Sequence, residues 1–371
     1  MKYYEYDLNG VRARLAHFDV NRGEAHAILT CPGKRQDAAH TLAALDEAAE
    51  KIAGLLDMQP VFMRYLLSDA TNQAHLLKQQ PICARSIIQQ SPLDGSKAAL
   101  LVIYNRQSDF TDCGLGMWMD SRGRIWAGDN DSIIPADSRT MTIDYLDTLA
   151  ARLEKSGASL EGHCIRTWFF VRDVDNNYAG VVSGRNEVFD RSGLTADSHF
   201  ISSTGIAGQA PDPTRIVAFN AFADTRIDAS QIKFLYGKTH LNPTYEYGVA
   251  FERGTAVDYA DRRHVYISGT ASIDNKGNIV AEGDIVAQTT RMLENIEVLL
   301  SEASCGWSDV AHMIVYLRDI ADYSTVAGII DSRFPDIPAV IVLAPVCRPG
   351  WLIETECMAV KQVSNPSYES F

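Results

Sequence analysis

Residues 145–189 read YLDTLAARLEKSGASLEGHCIRTWFFVRDVDNNYAGVVSGRNEVF, and residues 292–334 read MLENIEVLLSEASCGWSDVAHMIVYLRDIADYSTVAGIIDSRF. Each opens with apolar residues at helical spacing and turns at a Ser/Gly segment. Each then crosses an apolar run of strand length ending in Arg-Asp and resumes as a second helix. The pairs Arg172-Asp173 and Arg318-Asp319 stand 146 positions apart. β-rich runs joined by a glycine turn lie upstream of both, LGMWMDSRGRIWAGD (115–129) and ISGTASIDNKGNIVAEGD (267–284), and are read as matching hairpins. A hairpin followed by helix, strand and helix, used twice, predicts an α+β fold built from tandem units.

A more divergent copy opens the chain. GEAHAILTCPG (23–33) reads as its first strand and AAHTLAALDEAAEKIAGLL (38–56) as its helix. PVFMRYLLSDATNQAHLLKQQ (60–80) reads as strand, Asp69 and second helix, and ARSIIQQSPLDGSKAALLVIY (84–104) as a closing hairpin. The predicted domains are a divergent first unit, 1–106, a second, 107–230, and a third, 231–371, which carries the candidate site.

Composition narrows the function classes. With 46% hydrophobic residues over 371 positions, the chain can bury several cores. The net charge of −13 opposes phosphate-backbone binding, so nucleic acid is not an expected partner. No apolar run is long enough to span a bilayer, and MKYYEYDLNG lacks the basic-then-apolar order of a signal peptide, which predicts a cytoplasmic protein with no membrane partner. The seven cysteines are scattered without a CxxC, and the nine histidines show no HExxH, so neither a metal nor a cofactor is expected.

The third unit resembles the Rid (YjgF-like) family through Gly283-Asp284, Gln288-Thr289, Leu293 and Asn295-Ile296. That resemblance implies a chorismate-mutase-like unit, a mixed sheet packed by two helices. Three such units in one chain imply an intramolecular pseudo-trimer, either monomeric or a weak homo-oligomer, with clefts between units. Over residues 140–360 the order IRTWFFVRDV, GRNEVF, SSTGIAG, YGVAFERGT, ISGTASI, VCRPGWLIETE resembles the chorismatases, which release pyruvate from chorismate. The resemblance is to the 3-hydroxybenzoate-forming type, which has glycine and cysteine at the positions of Gly269 and Cys347; the glycine would give the substrate ring room to reorient.

Strand alternation puts Glu354 and Glu356 on one face among apolar neighbours. Desolvation and a second acid alongside both favour a protonated carboxyl. The resemblance implies that Glu354 is the general acid that protonates the vinyl carbon of an enolpyruvyl ether. Arginine suits the carboxylates of a small anionic substrate because it donates two parallel hydrogen bonds. The resemblance implies Arg253, Arg166 and Tyr236 at the ligand, and Arg166 is equally compatible with a structural role. It also implies a basic residue on the helix after VYLRD, where this chain has Ala327-Gly328.

A second reading is a Rid-type imine or enamine deaminase. It draws on Cys83-Ala84-Arg85-Ser86, which matches the carboxylate-gripping PARS-like strand of that family, whereas the third unit has Pro338-Ala339-Val340 there. Arg85 would complete a site with Glu354 if the first and third units adjoin. A third reading is a catalytically inactive small-molecule-binding protein of the same fold.

Overall fold

A computed structural model describes residues 1–21, 23–33, 37–78, 80–106 and 109–371. The first sheet comprises β1 (Lys2–Leu8), β2 (Val11–Phe18), β3 (Glu24–Thr30), β4 (Gln59–Leu67), β5 (Ala84–Gln89) and, after the two-residue β6 (Ser91–Pro92), β7 (Ala98–Asn105). Its order is β1-β2-β3-β7-β4-β5. The second comprises β8 (Thr111–Asp112), β9 (Met117–Met119), β10 (Arg124–Ala127), β11 (Cys164–Val171), β12 (Ser202–Ala207) and β13 (Val217–Asp224), in the order β8-β9-β10-β13-β11-β12. The third comprises β14 (Ile232–Leu235), β15 (Gly254–Asp258), β16 (Arg262–Ala271), β17 (Val310–Leu317), β18 (Ala339–Leu343) and β19 (Ile353–Gln362), in the order β14-β15-β16-β19-β17-β18. All three sheets therefore share one topology, and β6 of the first unit extends the third sheet by pairing with β18.

The register repeats as well. A shift interrupts the ladder between Pro60 and Phe62, between Cys164 and Arg166, and between Val310 and His312, the same point of each unit. The strands β7, β11, β13 and β17 are buried along their whole length, which explains their unbroken apolar character.

The helices are α1 (Ala38–Leu56), the four-residue α2 (Ala70–Gln73), α3 (Ser138–Glu154), the short α4 (Leu160–His163), α5 (Val174–Arg191), α6 (Ile285–Glu302) and α7 (Tyr323–Arg333). Asp37, Asp137 and Asp284 cap α1, α3 and α6 by accepting a backbone N–H three residues on. Long helices cover one face of each sheet, and the other faces meet in a core shared by all three units. There Phe62 of the first unit stacks on Trp126 of the second at 4.7 Å, and Phe222 of the second stacks on Tyr266 of the third at 5.8 Å. Among the described residues no helix is long and apolar enough to cross a membrane.

The structure corrects three expectations and adds one hairpin. Among the described residues of 60–80 there is no second long helix: α2 ends after one turn, and a 3-10 turn, Ala74–Leu76, follows. Only residues 70–83 lie between Asp69 and β5, half the length of the 174–201 segment between Asp173 and β12, so a full helix and a return segment do not fit. Residues 84–104 are not a hairpin, because β5 runs parallel to β4 while β7 inserts between β3 and β4. Residues 272–284 form only an isolated bridge, Ile273 to Ile279, so the counterpart of β9–β10 is β15–β16. The hairpin β1–β2 has no place in the sequence reading, although its Asn9-Gly10 turn, with φ of 57° and 86°, is the Asn-Gly signal that such turns require.

The expected unit boundary at 106/107 falls at residues 107–108, outside the described residues, and that at 230/231 falls in the turn Ala229–Gln231.

Candidate active site

β19 is the central strand of the third sheet, between β16 and β17, with Glu354 opposite Ala271 on one side and Tyr316 on the other. Glu354 and Glu356 share its inner face and are 5% and 3% exposed, which excludes a solvated strand face. Their surroundings differ. Glu356 accepts hydrogen bonds from Arg166 Nη2 at 2.8 Å, Trp168 Nε1 at 2.9 Å and Thr204 Oγ1 at 2.5 Å, and Arg64 of the first unit stands 3.5 Å away. Donors from two other units thus engage both of its oxygens.

Glu354 instead faces a narrow cleft between the second and third units. Burial, and next the charge of Glu356, push its carboxyl up to about 8, against the pull of Arg166 and Arg253. Gly269 explains how the carboxyl fits: a Cβ there would lie 2.1 Å from Glu354 Oε1. The glycine makes room for the acid itself, where the sequence suggests room for a substrate ring. Cys347 lines the same cleft, its thiol raised to about 12 by burial and then by Glu354.

Arg253 also lines this cleft. Its guanidinium donates to the carbonyl of Asn242, at 3.2 Å from Nε and 3.0 Å from Nη2, and lies 5.5 Å from the Phe251 ring. The structure thus brings Glu354, Arg253, Gly269 and Cys347 together. Arg166 is held by Glu356 and Thr204 behind the cleft wall, where it steadies the second carboxylate. Tyr236, 36% exposed, lies in an adjoining pocket that shares Phe251 and Arg253 but not Glu354.

Arg85 is in neither pocket. It lines the cleft between the first and second units, and its Nη1 donates to the carbonyl of Lys78. The reading that joined it to Glu354 is corrected by the order of the units around the molecule. Register shows what each cleft holds. Met63, Thr167 and Met313 pair with Val102, Ala221 and Cys357, so the position of Glu354 is taken by Ala99 in the first sheet and Ala218 in the second. Of these three positions, only the third-unit one carries an acid.

Residues 254–361 match the Endoribonuclease L-PSP family model. The chain is 36% identical over 97 residues to the 3-aminoacrylate deaminase RutC of Acinetobacter baylyi, 26% of this chain and 77% of that protein. The chain belongs to the Rid (YjgF-like, L-PSP) family. It is also 28% identical over 243 residues to the 3-hydroxybenzoate synthase of Streptomyces hygroscopicus, 56% of this chain and 66% of that protein. A crystal structure of chorismatase superposes with a TM-score of 0.67 at 16% identity, covering 97% of this chain and 99% of the other, which is a likeness of fold.

The residues that carry the Rid signature build the cleft. Gln288 donates to the carbonyls of Ala281 and Gly350 and accepts from the N–H of Leu352, which fixes the loop leading to Glu354. Asn295 donates to the carbonyls of Ala271 and Ile273, fixing the end of β16. Among the cleft residues that the sequence reading does not name is Arg185 on α5, although GRNEVF is among the matching motifs. The resemblance points to α7 for a basic residue, whereas the helix that lines this cleft is α5 of the neighbouring unit.

Proposed function

We propose that the protein releases pyruvate from chorismate, or a related enolpyruvyl ether, to give a hydroxybenzoate, with Glu354 as general acid. The observation that carries this reading is a buried carboxyl, raised to about 8, facing a cleft that Arg253 also lines. Such an acid is protonated at neutral pH and aimed into a sheltered space. Glu354 gives its proton to the terminal vinyl carbon. The bond from the ring to the ether oxygen then breaks, its electron pair going to that oxygen, which becomes the ketone oxygen of pyruvate. The proton lost as the ring aromatises restores Glu354. Pyruvate and a hydroxybenzoate together contain all the atoms of chorismate, so no water is consumed. Similarity to a 3-hydroxybenzoate synthase supports this choice of product class.

Pyruvate release from chorismate, followed by a coupled lactate dehydrogenase assay, tests the reading. Glu354→Gln is expected to lower turnover by roughly 10²–10⁴-fold; an unchanged rate removes Glu354 from the mechanism. Similarity to a 3-aminoacrylate deaminase favours a second reading, imine or enamine deamination. Ammonia release without pyruvate release would select it.

A further inference from the structure

Arg185 is 1% exposed, yet its Nε and Nη2 have no hydrogen-bond partner among the described residues. Its guanidinium stands 5.8 Å from the Phe251 ring, which Arg253 also approaches. A buried guanidinium whose donors lack an acceptor is costly, and unsatisfied buried donors are uncommon in folded proteins. Nε–H and Nη2–H lie along one edge of the guanidinium and point in parallel, the spacing that matches the two oxygens of a carboxylate. Arg185 lines the Glu354 cleft.

Packing around α5 holds this side chain in place. Gly184 lets α5 approach α3 closely, since a Cβ at that position would lie 2.6 Å from the Arg139 carbonyl oxygen. Asn186 donates to the Gly248 carbonyl, and Asp175 pairs with Arg318, so α5 is tied to the third unit on both sides of its middle. The charged groups lining the cleft are Arg185, Arg253, Arg348 and Glu354. With Glu354 protonated, that wall is cationic.

We infer that Arg185 binds a carboxylate of the ligand through its Nε and Nη2 edge, so that the second unit supplies an anion anchor and the third supplies the acid. The ligand class is an organic carboxylate, because the corresponding edge of Arg253 is already taken by the Asn242 carbonyl. This inference rests on the proposed reading for the identity of the substrate, but not for the presence of the anion site.

Titration calorimetry on the full chain with 3-hydroxybenzoate and with pyruvate tests it, 3-hydroxybenzamide serving as the neutral control. Arg185→Gln is expected to weaken one of the two carboxylates by roughly 10–100-fold and to leave the amide unchanged. Arg185→Lys, which keeps the charge and loses the two-donor edge, is expected to fall between. Without ligand, Arg185→Gln is expected to melt no lower than the parent protein, because a costly buried guanidinium whose donors lack an acceptor is removed; a purely structural arginine would lower Tm. If the parent protein binds neither carboxylate, or the variant binds both as tightly, the assignment is wrong. If no pyruvate is released from chorismate but carboxylate binding still depends on Arg185, the anion site stands and the reaction does not.

Discussion

A carboxyl stays protonated near neutral pH when water is withheld and a second negative charge stands close by, and residue 354 meets both conditions. The consequence for stability has a definite sign. In the unfolded chain Glu354 ionises near its ordinary value of 4.5, whereas in the folded protein it holds its proton to about 8. The folded state binds more protons between those values, so stability falls as pH rises through that window. Glu354→Gln removes the effect. Its stability relative to the parent is expected to grow between about pH 5 and 8, by at most roughly 1.4 kcal/mol per pH unit. Denaturant melts across that range check this, and a difference independent of pH would show that the carboxyl is ionised in the fold. The pair of acids was legible in the sequence through strand alternation. Their division of labour was not, because the donors that hold Glu356 come from the other two units.

At the scale of elements, the Rid signature acts through backbone positions rather than through chemistry. Gln288 is fully buried and serves three backbone groups of the loops around the cleft. Gln288→Ala leaves those groups unsatisfied and is expected to cost about 1–3 kcal/mol, with a loss of turnover as the loop carrying Cys347 relaxes. Chemical denaturation together with pyruvate assay separates the two effects; full stability and full activity would contradict this role. The helices α1, α3, α5 and α6 were legible from apolar periodicity. The truncated α2 was not, since helix-forming residues continue past Gln73 and only the short distance to β5 stops them.

At the scale of the whole molecule, the cleft exists only where two units meet. Residues 231–371 contain Glu354, Arg253, Gly269 and Cys347, but Arg185, Tyr178 and Ser203 come from the second unit. The fragment 231–371 is also expected to lose the partners of Glu356, Arg64 and Arg166, and with them a buried charge balance worth about 3–5 kcal/mol. Expressed alone it is expected to release no pyruvate. Activity equal to that of the full chain would place the site within a single unit.

The amino-acid sequence by itself determined the α+β class, the repetition and the strand that carries the acids, because helix and strand periodicity and the Arg-Asp spacing are local properties of the chain. The tertiary structure decided which cleft holds the acid, where Arg85 and Tyr236 lie, and that Arg185 shares the cleft of Glu354. Those outcomes depend on which units adjoin and how their strands register, and contacts between residues 150 or more positions apart leave no periodic trace in sequence.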